Sequence, residues 1–162
     1  MQQLSCHLTQ PVVMMFPPDS LMASMQAFRI LLVEDDDVDA EAVERGLRKH
    51  RIDCPVRSAR DGAEALRLLR AERFGPNTTL PWIVLLDLNL AGMGGFEFLD
   101  ALRADPALKR AVVMVLTSSN AARDRSEANR RGVAGYFAKA DMEAGFSFLA
   151  KLLEQWPPGV DQ

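Results

Sequence analysis

Asp87 ends the apolar run Trp82-Ile83-Val84-Leu85-Leu86, and the acidic cluster Glu34-Asp35-Asp36 ends another, Phe28 to Val33. If both runs are strands of one parallel sheet, the two strand ends can lie side by side. Carboxylates within roughly 4 Å repel by about 4 kcal/mol per pair at an effective dielectric of 20, so such a cluster calls for a positive occupant. A hard divalent cation suits it, Mg2+ above all. Two further groups close predicted strands: the Thr117 hydroxyl and the Lys139 ammonium. In this setting Mg2+ would be held by Asp35, Asp87 and the backbone carbonyl of Asn89, with waters oriented by Glu34. One Asp87 oxygen would stay free to attack phosphorus.

The elements that must position these groups follow from hydrophobic patterning. From Phe28 onward, short aliphatic runs alternate with amphipathic stretches, the pattern of βαβ units and hence of a doubly wound α/β sheet with helices on both faces. Strands are expected at Phe28–Val33, Cys54–Ser58, Trp82–Asp87, Val112–Thr117 and Tyr136–Ala138. Helices are expected at Val38–His50, Ala63–Arg73, Gly95–Ala104, Asp124–Arg131 and Met142–Gln155, the last stopped by Pro157 and Pro158. Val38, Ala42, Val43 and Leu47 form the buried stripe of the first helix, with Asp36 or Asp37 as its N-cap. Pro55 lacks a backbone donor, which assigns the second strand to a sheet edge. Trp82–Asp87, apolar on both faces, should be central. Ligand sites in such sheets lie beyond the carboxyl ends of the strands, where Asp35, Asp87, Thr117 and Lys139 all fall.

With 162 residues, 48% hydrophobic and 25% charged, the chain supports one well-buried core. A formal charge of −3 leaves no electrostatic footprint for nucleic acid. Cys6 and Cys54 cannot draw a disulfide framework, and no apolar stretch approaches the roughly 18 residues of a membrane span, so a cytoplasmic protein is expected. Residues 1–25, rich in Met and Pro and without periodicity, read as a disordered extension; residues 26–156 form the domain and 157–162 a short tail without an output domain.

Four segments carry a family resemblance: Leu31-Leu32-Val33-Glu34-Asp35-Asp36, Val84-Leu85-Leu86-Asp87-Leu88-Asn89-Leu90, Val115-Leu116-Thr117-Ser118 and Gly135-Tyr136-Phe137-Ala138-Lys139. In this order and spacing the chain resembles the CheY-like response-regulator receiver domain of two-component signalling, from about Phe28 to Trp156. The resemblance implies a five-stranded parallel sheet of order 2-1-3-4-5. It implies Asp87 as phosphoacceptor, Glu34 and Asp35 as the Mg2+ acid pair, and Lys139 as the cation that neutralises phosphoryl oxygens. Thr117 would bind the phosphoryl group on activation, and Tyr136 would swing inward behind it. The donor would be the phosphohistidine of a sensor histidine kinase, and the output a contact with a downstream protein or phosphotransfer domain.

Three positions depart from the family's usual residues: Ala91 and Ala140, where it commonly has Pro, and Gly94, where it commonly has Asp. A cis bond before Ala costs roughly 3 kcal/mol, so the loop after Lys139 must either bear strain or be rebuilt. The connection Phe74–Pro81, Asp87-Leu88-Asn89-Leu90 and Gly95-Phe96-Glu97-Phe98-Leu99 resemble stand-alone regulators paired with phytochrome-type kinases.

Other features have plainer readings. Arg123, Arg125, Arg130 and Arg131 interleave with Asp124 and Glu127, a solvated ion-paired face. Ser118, Ser119 and Asn120 are helix-capping candidates, and Asn89 and Ser119 should also tune the lifetime of a phosphoryl-Asp. His7 and His50 lack partner ligands. Phe146, Leu149, Leu153 and Trp156 follow helical spacing, while Phe148 and Leu152 widen the apolar arc and suggest a homodimer contact through the last helix. Two competing functions remain at this stage: a pseudo-receiver that binds without phosphoryl chemistry, and a haloacid-dehalogenase-like phosphatase, which would want Asp where Asn89 stands.

Overall fold

The computed structural model describes residues 28–72 and 81–155. The extension 1–25, most of the connection from Phe74, Trp156 and the tail 157–162 lie outside the described residues. Five parallel strands, β1 (Arg29–Val33), β2 (Val56–Ala59), β3 (Trp82–Leu86), β4 (Val112–Thr117) and β5 (Gly135–Ala138), form one sheet in the order β2-β1-β3-β4-β5. The helices are α1 (Asp37–Lys49), α2 (Gly62–Ala71), α3 (Gly95–Ala104), α4 (Ala122–Arg130) and α5 (Met142–Gln155).

Alternation along the strands divides the core. Leu31, Val33, Val84, Leu86, Val113 and Val115 face one side, against Leu66 and Leu69 of α2 and Phe98, Leu99 and Leu102 of α3. Ile30, Leu32, Ile83, Leu85, Met114 and Leu116 face the other, against Val43 and Leu47 of α1 and Phe146 and Leu149 of α5. Burial on both faces is why β1 and β3 read as continuous apolar runs. β2 takes the edge, as Pro55 requires, but starts two residues later than expected; the Pro55 carbonyl accepts a hydrogen bond from Ile30 N at 2.9 Å.

Local chemistry fixes the helix starts. Asp36 caps α1, its Oδ1 accepting from Val38 N at 2.9 Å and Asp39 N at 3.0 Å, and Asp61 Oδ1 caps α2 by accepting from Glu64 N at 2.8 Å. α4 departs from expectation. It begins at Ala122, with Ala121 at its N-cap and no side-chain cap, because the Ser119 hydroxyl instead donates to the Asp124 carboxylate. Val38 is also corrected: at 73% exposure it lies outside the buried stripe, in the first turn at the carboxyl edge of the sheet. On α5, Phe148 packs on Phe137 with ring centroids 5.5 Å apart, so part of the apolar breadth that suggested self-association is an internal contact. Arg103, half-buried at the end of α3, donates to the carbonyls of Lys109, Ala111, Arg131 and Gly132, tying α3 to the turns before β4 and β5.

Candidate functional site

Register alone gathers the chemistry. Val33 pairs with Leu86 and Asp87 N donates to Val33 O at 3.0 Å, so Glu34, Asp35 and Asp87 leave adjacent strands together. Thr117 pairs with Ala138, which sets Lys139 immediately beyond the β4 end. Among the described residues the buried polar or charged side chains are Arg29, Glu34, Asp87 and Thr117, and three of these four meet here. A buried charge survives only when paired, so their burial marks a built site.

Oxygens of Glu34, Asp35 and Asp87 lie within 4.8 Å of one another. Lys139 Nζ answers them, 2.9 Å from Asp87 Oδ2 and 2.8 Å from Glu34 Oε2. It also reaches Asp39 Oδ2 on the first turn of α1 at 2.6 Å. Burial on its own disfavours the Lys139 ammonium, but the hydrogen-bonded carboxylates of Asp39, Glu34 and Asp87 outweigh it and hold the group above its ordinary value. Burial pushes the Glu34 carboxyl up, and the Asp87 charge adds to that, against the opposing pull of Lys139 and of Asp36 N, which donates to Glu34 Oε1. Three carboxylates thus share one ammonium with a fourth, Asp35, beside them, an electron-rich pocket of hard oxygen donors that fits a divalent cation such as Mg2+ or Mn2+.

The β3–α3 loop supplies neutral donors. Asn89 N donates to Asp87 Oδ1 at 3.1 Å, and Ala91 N donates to Asp35 Oδ2 at 3.0 Å. Asn89 Nδ2 donates to Thr117 Oγ1 at 3.4 Å and to Ser118 Oγ at 3.2 Å, and Ser119 N also donates to Thr117 Oγ1. The peptides of the described residues are all trans, and β5 runs straight into a 3-10 turn, Lys139–Asp141, so the loop around Ala140 is rebuilt. Tyr136 is already buried. Its hydroxyl donates to Ser119 O at 3.0 Å and the Arg125 guanidinium covers its ring at 4.6 Å, so this structure has the ring inside, where the sequence led us to expect an inward swing only on activation.

Each residue singled out in the sequence therefore converges on one pocket, with Tyr136 joined to it through the β4–α4 loop. Asp39 and Ser118 were missed as site residues. Asp39 stands in the first turn of α1, and only the packing of that turn against the β5 end brings it to Lys139.

A doubly wound sheet with an acidic pocket, a hydroxyl and a lysine at its carboxyl edge is the architecture of a phosphoacceptor domain, and comparison with known proteins agrees. Residues 30–149 match the family model of the response regulator receiver domain. The chain is 40% identical over 91 residues to response regulator Rcp1 of Synechocystis, a match covering 56% of this chain and 62% of that protein. The crystal structure of the Mn(2+)-bound form of Rcp1 superposes with a TM-score of 0.65 at 31% identity, covering 82% of this chain and 99% of that one. The phosphorylated cyanobacterial phytochrome response regulator RcpA gives a TM-score of 0.63 at 32% identity, covering 80% and 93%.

The chain belongs to the response-regulator receiver family, with its CheY-like fold and phosphoacceptor signalling role. The phosphatase reading is set aside by this membership, and nothing in the comparisons favours the pseudo-receiver. Membership implies a histidine kinase as partner. Among the described residues no helix is long and apolar enough to cross a membrane.

Proposed function

We propose that Asp87 is the phosphoacceptor of a stand-alone response regulator, charged by a sensor histidine kinase of the phytochrome type. The observation that carries this is Asp87 itself: 4% exposed, its Oδ2 on Lys139 Nζ, its Oδ1 on Asn89 N. An Asp87 carboxylate oxygen forms the new O–P bond as the N–P bond of the phosphohistidine breaks; the imidazole leaves and takes up a proton. Lys139 neutralises phosphoryl oxygens, and the Thr117 hydroxyl, released from Asn89, donates to another. Such a transfer depends on positioning and positive charge rather than on covalent help from the protein. Glu34, Asp35, Asp87 and the backbone carbonyl of Asn89 would hold Mg2+, which when bound would offset the charge that gathers between donor and carboxylates. The relatives' manganese-bound and phosphorylated forms support this assignment.

In discharge a water oxygen forms a new bond to phosphorus as the bond from phosphorus to the Asp87 oxygen breaks, releasing inorganic phosphate and restoring the carboxylate, so the chain assists both its own charging and its own discharge. Tyr136 and Thr117 form the switch that a downstream protein or phosphotransfer domain reads, in the cytoplasm. The experiment is incubation of wild type and Asp87→Asn with acetyl phosphate, with and without Mg2+, followed by intact mass. We expect gain of one phosphoryl group only in wild type and only with Mg2+; no gain in wild type would return the pseudo-receiver.

A further inference from the structure

We propose that Asp39 is a positioning residue that holds Lys139 back from the phosphoryl group and thereby sets how fast Asp87 is phosphorylated. An ammonium has three N–H donors, and Lys139 has three carboxylate partners: Asp39 at 2.6 Å, Glu34 at 2.8 Å and Asp87 at 2.9 Å. No donor is left over for an incoming phosphoryl oxygen, so one bond must open during transfer. The three partners are not equal. The Glu34 and Asp87 side chains are 3% and 4% exposed, so water cannot take the place of a bond that Lys139 gives up there. The Asp39 side chain is 41% exposed and is rehydrated as it lets go. Asp39 is therefore the partner that yields.

Lys139 itself rises from a single 3-10 turn with no side-chain cap, so its ammonium is aimed by these partners rather than by its own backbone. Asp39 is fixed in turn: it stands in the first turn of α1, where its backbone N–H is held by the Asp36 cap at 3.0 Å. The geometry is a competition between one outer carboxylate and the phosphoryl group for a single ammonium, with Asp39 as the holding side.

The inference rests on Asp87 being the acceptor. The test is the rate of phosphoryl gain by the full chain with acetyl phosphate and Mg2+, for wild type, Asp39→Asn, Asp39→Glu and Asp37→Asn. Asn keeps the shape but binds the ammonium as a neutral acceptor, so Asp39→Asn should gain phosphoryl about three- to tenfold faster. Asp39→Glu should return the rate toward wild type. Asp37→Asn removes an equal charge from the same helical turn, but Asp37 pairs with Arg60 and not with Lys139, so its rate should match wild type. A rate for Asp39→Asn equal to or below wild type would overturn the inference, and so would equal acceleration in Asp37→Asn, which would make the effect one of general charge. If wild type gains no phosphoryl at all, the fault lies with the assignment of Asp87 and not with Asp39.

Discussion

Glu34 is a carboxyl group kept dry beside two others, and its burial makes the folded protein hold that proton more tightly than the unfolded chain does. A group whose folded value is raised contributes stability below its unfolded value, about 4.3 for a glutamate, and loses it as pH rises through the folded value. Above that range Glu34 is an ionised group in a poor environment, and a cation is what relieves it. Proton and Mg2+ compete for Glu34, so Mg2+ should raise the melting temperature more at pH 7.5 than at pH 5. Equal increments at the two pH values, read by calorimetry, would mean that Glu34 does not face the metal. Asp87, Asp35, Glu34, Thr117 and Lys139 were legible in the sequence because each closes an apolar run, and a strand end in this fold class is a fixed address. Asp39 and the fourfold carbonyl clamp of Arg103 were not. Their roles depend on how a helix lies across its neighbours, and both residues look like ordinary charges on a helical surface.

At the scale of elements, the β3–α3 loop does most to shape the pocket, and Gly95 lets it close. A Cβ at Gly95 would come within 2.7 Å of Leu88 Cα and 2.9 Å of Asp87 O, backbone atoms that cannot swing aside as a side chain could. Gly95→Ala should lower stability by about 1–3 kcal/mol, the usual cost of overpacking, and slow phosphoryl gain because the displaced carbonyl belongs to Asp87, the proposed acceptor. Denaturant melts and the acetyl phosphate rate check this together; a variant with wild-type stability and rate would show that the loop has slack. Gly94 stands at the N-cap of α3, its N–H donating to Glu97 Oε2, which reaches back at 3.3 Å, and it has open space around it, so the absence of the family's usual Asp there leaves the helix start intact. The bounds of α3, β4 and α5 followed from their patterns. β2 and α4 shifted because their starts turn on a proline and on a serine that found another partner, tertiary choices that periodicity does not carry.

For the whole molecule, the sheet acts as a register. Two buried faces fix β1, β3, β4 and β5 against slippage, since a one-residue slip would send every core side chain to the opposite face, into a layer packed around different shapes. That register brings acid, hydroxyl and ammonium together from stretches of chain more than a hundred residues apart at the extreme, as in the Lys139–Glu34 pair. Tyr136 and Arg125 join the β4–α4 loop to α4, and the proposed switch would use this contact to carry charge gained at Asp87 to a partner. The proposed signalling role turns on which oxygen takes the phosphoryl group. Treating the protein with acetyl phosphate and Mg2+, reducing with borohydride and sequencing the peptides by mass spectrometry converts an acyl phosphate of aspartate to homoserine. We predict homoserine at position 87 alone, and only when donor and Mg2+ are both present; homoserine at Asp35 or Asp36, or phosphate retained on Thr117 or Ser118, would contradict it.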